Sequence, residues 1–239
     1  MTTETAIRVS GLRKAYAGHL VLDDVTLEVQ AGEAVALLGA NGAGKTTLLK
    51  ILGTLVRPSR GEARVAGLHC VRDAEAVRRL IGVLGHGNFV YEDLTAFENL
   101  KFWTVLAGNP VYASALRAAL AQVDLDRFAD ERVRTFSAGM KRRLALARFV
   151  LSRPRVLLLD EPFASLDRRA GKWLDEYLHA FKAGGGAILM STHSFGRGLG
   201  VADRAAILAG GRIVLDTPVA ALGADDVRRL YDLYAEEGA

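Results

Sequence analysis

Gly39-Ala40-Asn41-Gly42-Ala43-Gly44-Lys45-Thr46 lies between the apolar segment Ala34-Val35-Ala36-Leu37-Leu38 and the run Thr47-Leu48-Leu49-Lys50-Ile51-Leu52. The order reads as strand, glycine-rich loop and helix. Glycines let the backbone curl until successive N–H groups point inward, and such a row of amides receives phosphate oxygens. The helix that follows adds its positive N-terminal end to the same place. There Lys45 can reach the β- and γ-phosphates of a nucleotide, and the Thr46 hydroxyl is placed to ligate Mg²⁺. The alternative is a glycine-rich turn with an incidental Lys-Thr, and the strand before and helix after argue against it. The stretch predicts a nucleotide held by Gly39, Asn41, Gly42, Ala43, Gly44, Lys45, Thr46 and Thr47.

The remaining composition is compatible with that reading. With 239 residues, the chain can bury roughly 70–75% of the surface it exposes when unfolded. Half of it is hydrophobic and 24% charged, the ordinary globular pattern. Apolar runs such as Val156–Leu159 are far shorter than a membrane span. The first residues, Met1-Thr2-Thr3-Glu4-Thr5, lack the basic and apolar regions of a signal peptide. Cys70, a lone cysteine, excludes an intrachain disulfide framework and fits a reducing compartment. Net charge is +4 with a pI near 9.3, and arginines are spread along the chain; a nucleic-acid footprint would need them gathered on one face, and no nucleic-acid partner is expected. Arg142 and Arg143 share a helix with Leu144, Leu146 and Phe149, and the pattern reads as a solvated helix face.

Short strands are expected at Ile7–Leu12, Val25–Val29, Ala34–Leu38, Ala63–Val65 and Ile81–Leu84, with turns at Gly32-Glu33 and Gly61-Glu62. From Thr95 to Leu151 the chain reads as helices. Thr95-Ala96-Phe97-Glu98 forms a capping box, and Asn109-Pro110 starts a further helix. Strands return at Val156–Leu159, Ala187–Met190, Ala205–Leu208 and Arg212–Leu215. The alternation predicts a mostly parallel α/β core covered by helices and interrupted by a helical insertion. Val227, Leu230, Tyr231 and Tyr234 place one more amphipathic helix at Asp225 to Glu236.

Val156-Leu157-Leu158-Leu159-Asp160-Glu161 is a buried strand ending in two carboxylates. Asp160 can hold Mg²⁺ opposite Thr46, and Glu161 can polarise an attacking water as general base. Two acids could simply cap a helix, but the phosphate loop upstream favours metal and base.

Two further elements complete the pattern. Phe136-Ser137-Ala138-Gly139-Met140-Lys141-Arg142-Arg143 opens a helix, and Ser191-Thr192-His193 follows the strand Ala187-Ile188-Leu189-Met190. In this order and spacing the set resembles the ATP-binding cassette (ABC) ATPases over nearly the whole chain. The resemblance implies a P-loop α/β core with an N-terminal antiparallel β subdomain and an inserted α-helical subdomain. Residues 1–239 would form one domain, with 1–90 and 151–239 as core and 91–150 as the helical part. It also implies that Tyr16 stacks on adenine and that His193 contacts the γ-phosphate and supports Glu161. The stretch Ser165-Leu166-Asp167 would communicate between two sites. Ser137 and Gly139 would reach the nucleotide of a paired ATPase subunit, identical or not, with ATP and Mg²⁺ as cofactors. The expected partners are membrane-spanning subunits, at the cytoplasmic face of the plasma membrane.

Departures from the family pattern are local. Phe136, Ala138 and Met140 replace three residues of the usual Leu-Ser-Gly-Gly-Gln, and His86 stands where a nucleotide-site glutamine is usual. A P-loop kinase is disfavoured by the helical insertion, and a soluble ribosome or DNA-repair ATPase by the single cassette without a heptad arm. Leu84-Gly85-His86-Gly87, Asp93 through Leu100, and Leu159 through Asp167 resemble the haem-exporter ATPase of cytochrome c maturation. Exporters of drugs, lipids or polysaccharides share several of these features. Phe89, Val90, Tyr91, Phe97, Phe102 and Trp103 are expected mostly in a helical core, with one or two facing a membrane subunit.

Overall fold

A computed structural model describes residues 4–85, 87, 89–192 and 197–221. His86, His193 and the expected helix at Asp225 to Glu236 lie outside the described residues. In chain order the elements are β1 (Thr5–Tyr16), β2 (His19–Gln30), β3 (Ala34–Leu38), α1 (Lys45–Leu52), β4 (Arg60–Val65), β5 (Leu68–His69), α2 (Ala74–Leu80) and β6 (Ile81–Leu84). Then come α3 (Ala96–Leu106), α4 (Ala113–Gln122), α5 (Ala138–Ser152), β7 (Val156–Asp160), α6 (Arg168–Ala183), β8 (Ala187–Ser191), α7 (Arg197–Val201), β9 (Arg204–Ala209) and β10 (Arg212–Pro218).

The strands form two sheets. One is antiparallel in the order β2-β1-β4-β5; the other runs β10-β9-β3-β8-β7-β6, parallel except for the β10–β9 hairpin. The central strands β3, β7 and β8 are buried at every position, as expected for a parallel sheet covered on both faces. Alternate residues of these strands serve two different cores. Val35, Leu37, Val156, Leu158, Ala187 and Leu189 meet α1 and the antiparallel sheet. Ala34, Leu157, Leu159, Ile188 and Met190 face α5 and α6. A third core joins α3, α4 and α5 around Leu100, Leu116, Leu120 and Leu144.

The segment between β6 and β7 carries α3, α4 and α5, so the helical insertion stands where it was expected. Its capping box is complete: Glu98 N donates to Thr95 Oγ1 at 3.1 Å, and Thr95 N donates to Glu98 Oε2 at 2.8 Å. Three local expectations need correction. Pro110 precedes the next helix rather than opening it, because α4 starts at Ala113 with Tyr112 as its N-cap. Gly61-Glu62 is not a turn but part of β4, where the β1 backbone passes so near that a Cβ on Gly61 would sit 2.2 Å from Gly11 O. Half of the aromatic cluster is exposed: Phe89, Tyr91 and Phe102 are 64%, 48% and 40% accessible, while Phe97 and Trp103 pack on the helical core.

Candidate nucleotide site

Strand order builds the site. β8 lies between β3 and β7, and its last residue, Ser191, is paired with Leu37 on one side and Asp160 on the other. The glycine-rich loop after β3 and the two carboxylates at the end of β7 therefore open at one edge of the sheet. Ligands of parallel α/β sheets gather at this carboxyl edge.

The loop has the shape that the sequence implied. Gly39, Gly42 and Gly44 have φ of +152°, +87° and +107°. At Gly39 a Cβ would come within 2.3 Å of Leu208 O, and at Gly44 within 2.6 Å of Leu22 Cδ2. Gly44 is the N-cap of α1, which leaves the amides of the first turn available to an anion. Asn41 and Gly42 are exposed at the crest, with Ala43 and Thr47 half-buried. Lys45 is buried, and its Nζ donates to Gly39 O at 2.6 Å and Ala40 O at 3.0 Å. Burial lowers its pKa, while the carboxylates of Glu161 and Asp160 act in the opposite direction.

Thr46 Oγ1 donates to Asp160 Oδ2 at 2.8 Å, which brings the two expected Mg²⁺ ligands together. Two hard oxygen donors side by side fit Mg²⁺, which is held by a few protein oxygens together with phosphates and waters. The other carboxylate oxygen, Asp160 Oδ1, accepts from Ser191 Oγ at 2.5 Å. Ser191 also receives the Glu161 amide on its Oγ at 3.1 Å and on its O at 3.2 Å. Glu161 itself is half-buried with φ +49°, a left-handed conformation that costs a non-glycine residue about 1–2 kcal/mol.

Other expected residues fall into two groups. Tyr16 ends β1 with 42% of its surface exposed. It lies in the hairpin whose Val21 and Leu22 pass over Gly44, and Lys14 Nζ is 4.6 Å from its ring centroid. Ser137 is exposed and caps α5, accepting from Met140 N at 3.2 Å. Asp167, also exposed, caps α6 by accepting from Ala170 N at 2.8 Å. Gly139 lies against Ser165, where a Cβ would be 3.3 Å from the Ser165 carbonyl. None of these four makes a described hydrogen bond to the phosphate loop.

The solvated face expected for Arg142 and Arg143 is wrong. Arg142 is only 4% exposed, and its guanidinium donates to three carbonyls: Gly85 O at 2.8 Å, Asp160 O at 3.0 Å and Glu161 O at 2.7 Å. Arg143 is half-buried and donates to Val123 O at 3.2 Å. Arg142 follows the spacing of the buried stripe Ala145, Leu146 and Phe149, a signal that the helical period already contained. Ser191 was missed for a different reason. It ends an apolar strand, and only the register with β7 shows which carboxylate it meets.

A cavity of about 600 Å³ lined by Phe149, Arg153, Tyr177, Phe181 and Gly184–Gly186 sits before β7 and β8 begin, at the opposite edge of the sheet, and takes no part in this site.

Comparison with known proteins agrees with this geometry. Residues 22–164, more than half of the chain, match the ABC transporter family. The daunorubicin resistance ATP-binding protein DrrA3 of Streptomyces coeruleorubidus is 39% identical over 89% of this chain and 68% of its own length. The cytochrome c biogenesis ATP-binding export protein CcmA of Cupriavidus necator is 36% identical over 79% of this chain and 83% of its own. A solved ATP-binding subunit of an ABC transporter superposes with a TM-score of 0.83 at 32% identity, covering 96% of this chain and 94% of that one. The chain thus spans about two thirds of the drug-resistance relative and nearly all of the solved subunit. It belongs to the ABC transporter family, as an ATP-hydrolysing cassette.

Proposed function

We propose that the chain is the ATP-driven motor subunit of a membrane exporter. The observation that carries this reading is the β3-β8-β7 order, which sets a phosphate loop beside two strand-end carboxylates. In this reading the loop amides and Lys45 bind the phosphates, and Thr46 with Asp160 holds Mg²⁺, which neutralises phosphate charge. Glu161 takes a proton from water as its oxygen attacks the γ-phosphorus, and the bond to the β-phosphate oxygen breaks to release ADP. Tyr16 stacks on adenine, and His86 and His193 contribute from outside the described residues. Ser137 and Gly139, exposed at the start of α5, serve the nucleotide of a paired subunit together with Asp167. Residues 91–150 form a helical subdomain within a single domain spanning 1–239.

No helix among the described residues is long and apolar enough to cross a membrane. In this reading the transmembrane path belongs to partner subunits, with this chain peripheral at their cytoplasmic face. Tyr91 and Phe102, in edge contact at 4.8 Å, and Phe89 supply an apolar surface for them. Cargo is chosen by those subunits. Haem for cytochrome c maturation is one cargo reading. The daunorubicin-resistance relative, at slightly higher identity, supports a drug as the second.

Two variants test the motor. Lys45→Ala removes the buried ammonium, and ATP binding and turnover should fall together; undiminished hydrolysis would defeat the assignment. Glu161→Gln should keep ATP binding but lower turnover by ~10²–10⁴-fold, the usual loss for a general base. With ATP and Mg²⁺ that variant should run as a dimer on size exclusion, and with ADP as a monomer. The transporter reading is tested against a soluble ABC ATPase by co-purification, which should recover a membrane subunit rather than ribosomes.

A further inference from the structure

Arg142 is an anomaly in α5. Its neighbours on the same stripe, Ala145, Leu146 and Phe149, are apolar and buried, and burying a guanidinium among them is unfavourable unless it is well paired. Its partners are not side chains from its own core. They are main-chain carbonyls of two separate segments: Gly85, just after β6, and Asp160 and Glu161, at the end of β7. A planar guanidinium presents five donors in a fixed fork and so spans carbonyls of separate segments, which the compact ammonium of a lysine covers less completely. One of these carbonyls belongs to Glu161, whose left-handed φ of +49° has to be held by its surroundings to persist. The nearby Asp160 and Glu161 charges partly offset the burial that lowers the Arg142 pKa.

We propose that Arg142 is a positioning residue: its guanidinium holds the Asp160–Glu161 backbone in the left-handed bend that carries the Glu161 side chain. The same side chain fastens this bend to the loop after β6 and to the helix capped by Ser137. This rests on Glu161 being the base. Without Arg142 the peptide relaxes toward an ordinary φ and the carboxylate swings away from its working position. The phosphate loop, which Arg142 does not touch, keeps its affinity for ATP.

The test compares the full chain with Arg142→Gln, Arg142→Lys, Glu161→Gln and the Arg142→Gln/Glu161→Gln pair. ATP affinity is read with a fluorescent ATP analogue, and hydrolysis by single-turnover kinetics. Arg142→Gln should lose about 10–100-fold in rate, the size expected from one lost charge-assisted hydrogen bond. Arg142→Lys, whose ammonium reaches fewer carbonyls, should lose about 3–10-fold. Affinity for ATP should stay within about twofold in both, since no phosphate contact is removed. In the Glu161→Gln background the loss from Arg142→Gln should shrink to under about twofold, because two residues acting through one step are not additive. Wild-type turnover by either folded Arg142 variant overturns the proposal. So does an equal loss in both backgrounds, or a parallel loss of ATP affinity, either of which marks a general structural role. If Arg142→Gln does not fold, Arg142→Lys is decisive by the same criteria. Normal turnover by Glu161→Gln alone refutes the base assignment, and the positioning role with it.

Discussion

Ser191→Ala removes a single oxygen from the centre of the sheet edge, and its effect follows from the partners of that oxygen. Ser191 is fully buried. Its hydroxyl donates to Asp160 Oδ1 and accepts the Glu161 amide. The amide keeps its second acceptor, Ser191 O, so its loss is small. Asp160, 4% exposed, keeps Thr46 on Oδ2 but loses the Ser191 hydroxyl from Oδ1. A hydrogen bond to a buried charge is worth about 1.5–3 kcal/mol. For a chain of this size each kcal/mol moves the melting temperature by about 2–4 °C, so the variant should melt about 3–12 °C lower. With this hydroxyl gone, the Asp160 carboxylate is held less firmly opposite Thr46, and half-saturation of the ATPase by Mg²⁺ should need more of the ion. Differential scanning fluorimetry and a Mg²⁺ titration of steady-state hydrolysis measure the two effects. Ser59→Ala, which loses an exposed contact to Ala15 N, is the control and should change stability by less than about 0.5 kcal/mol. A Ser191→Ala protein that melts within about 1 °C of the parent and has an unchanged Mg²⁺ requirement would refute the reasoning.

Other expectations follow from the same geometry. Gly39→Ala pushes a methyl group to 2.3 Å from the Leu208 carbonyl oxygen, so on top of the cost of its positive φ it should destabilise the chain by about 1–3 kcal/mol more in thermal melts, and weaken ATP binding. Gly42→Ala, with nothing within 4 Å, should incur only the left-handed backbone cost of about 1–2 kcal/mol; equal losses in the two variants would contradict the close contact at Gly39. Cys70 is buried, and burial raises its thiol from 9.0 to about 11. Its folded-state pKa thus lies above the unfolded one, so stability is full below pH 9 and falls as pH rises toward 11, where the unfolded chain releases the proton first. At pH 8 iodoacetamide should alkylate Cys70 only after urea unfolds the chain, and rapid native-state labelling would show that the thiol is accessible.

Much of this protein was legible in one dimension because its chemistry is carried by local patterns. The phosphate loop needs contiguous glycines, and a fully buried parallel strand needs contiguous aliphatic residues. Both survive as short words, Gly39 to Thr46 and Val156 to Leu159. The Thr95–Glu98 capping box is equally local, since its hydrogen bonds span three residues. Pro110 was misread because its fixed φ suits an extended lead-in as well as a first helical turn, and Gly61 because glycine serves a close strand contact as well as a turn; the neighbouring packing chose in both. What the tertiary structure alone decided is the placement of β8 between β3 and β7. Parallel strands are joined by long crossovers, so their lateral order and register leave no local trace. That order makes Ser191 a partner of Asp160 and brings Thr46 to the same carboxylate across 114 residues of chain. Arg142 lies between the two cases. Its helical phase was readable from Ala145, Leu146 and Phe149. That its charge could be buried there depended on the Gly85, Asp160 and Glu161 carbonyls, which only folding brings together.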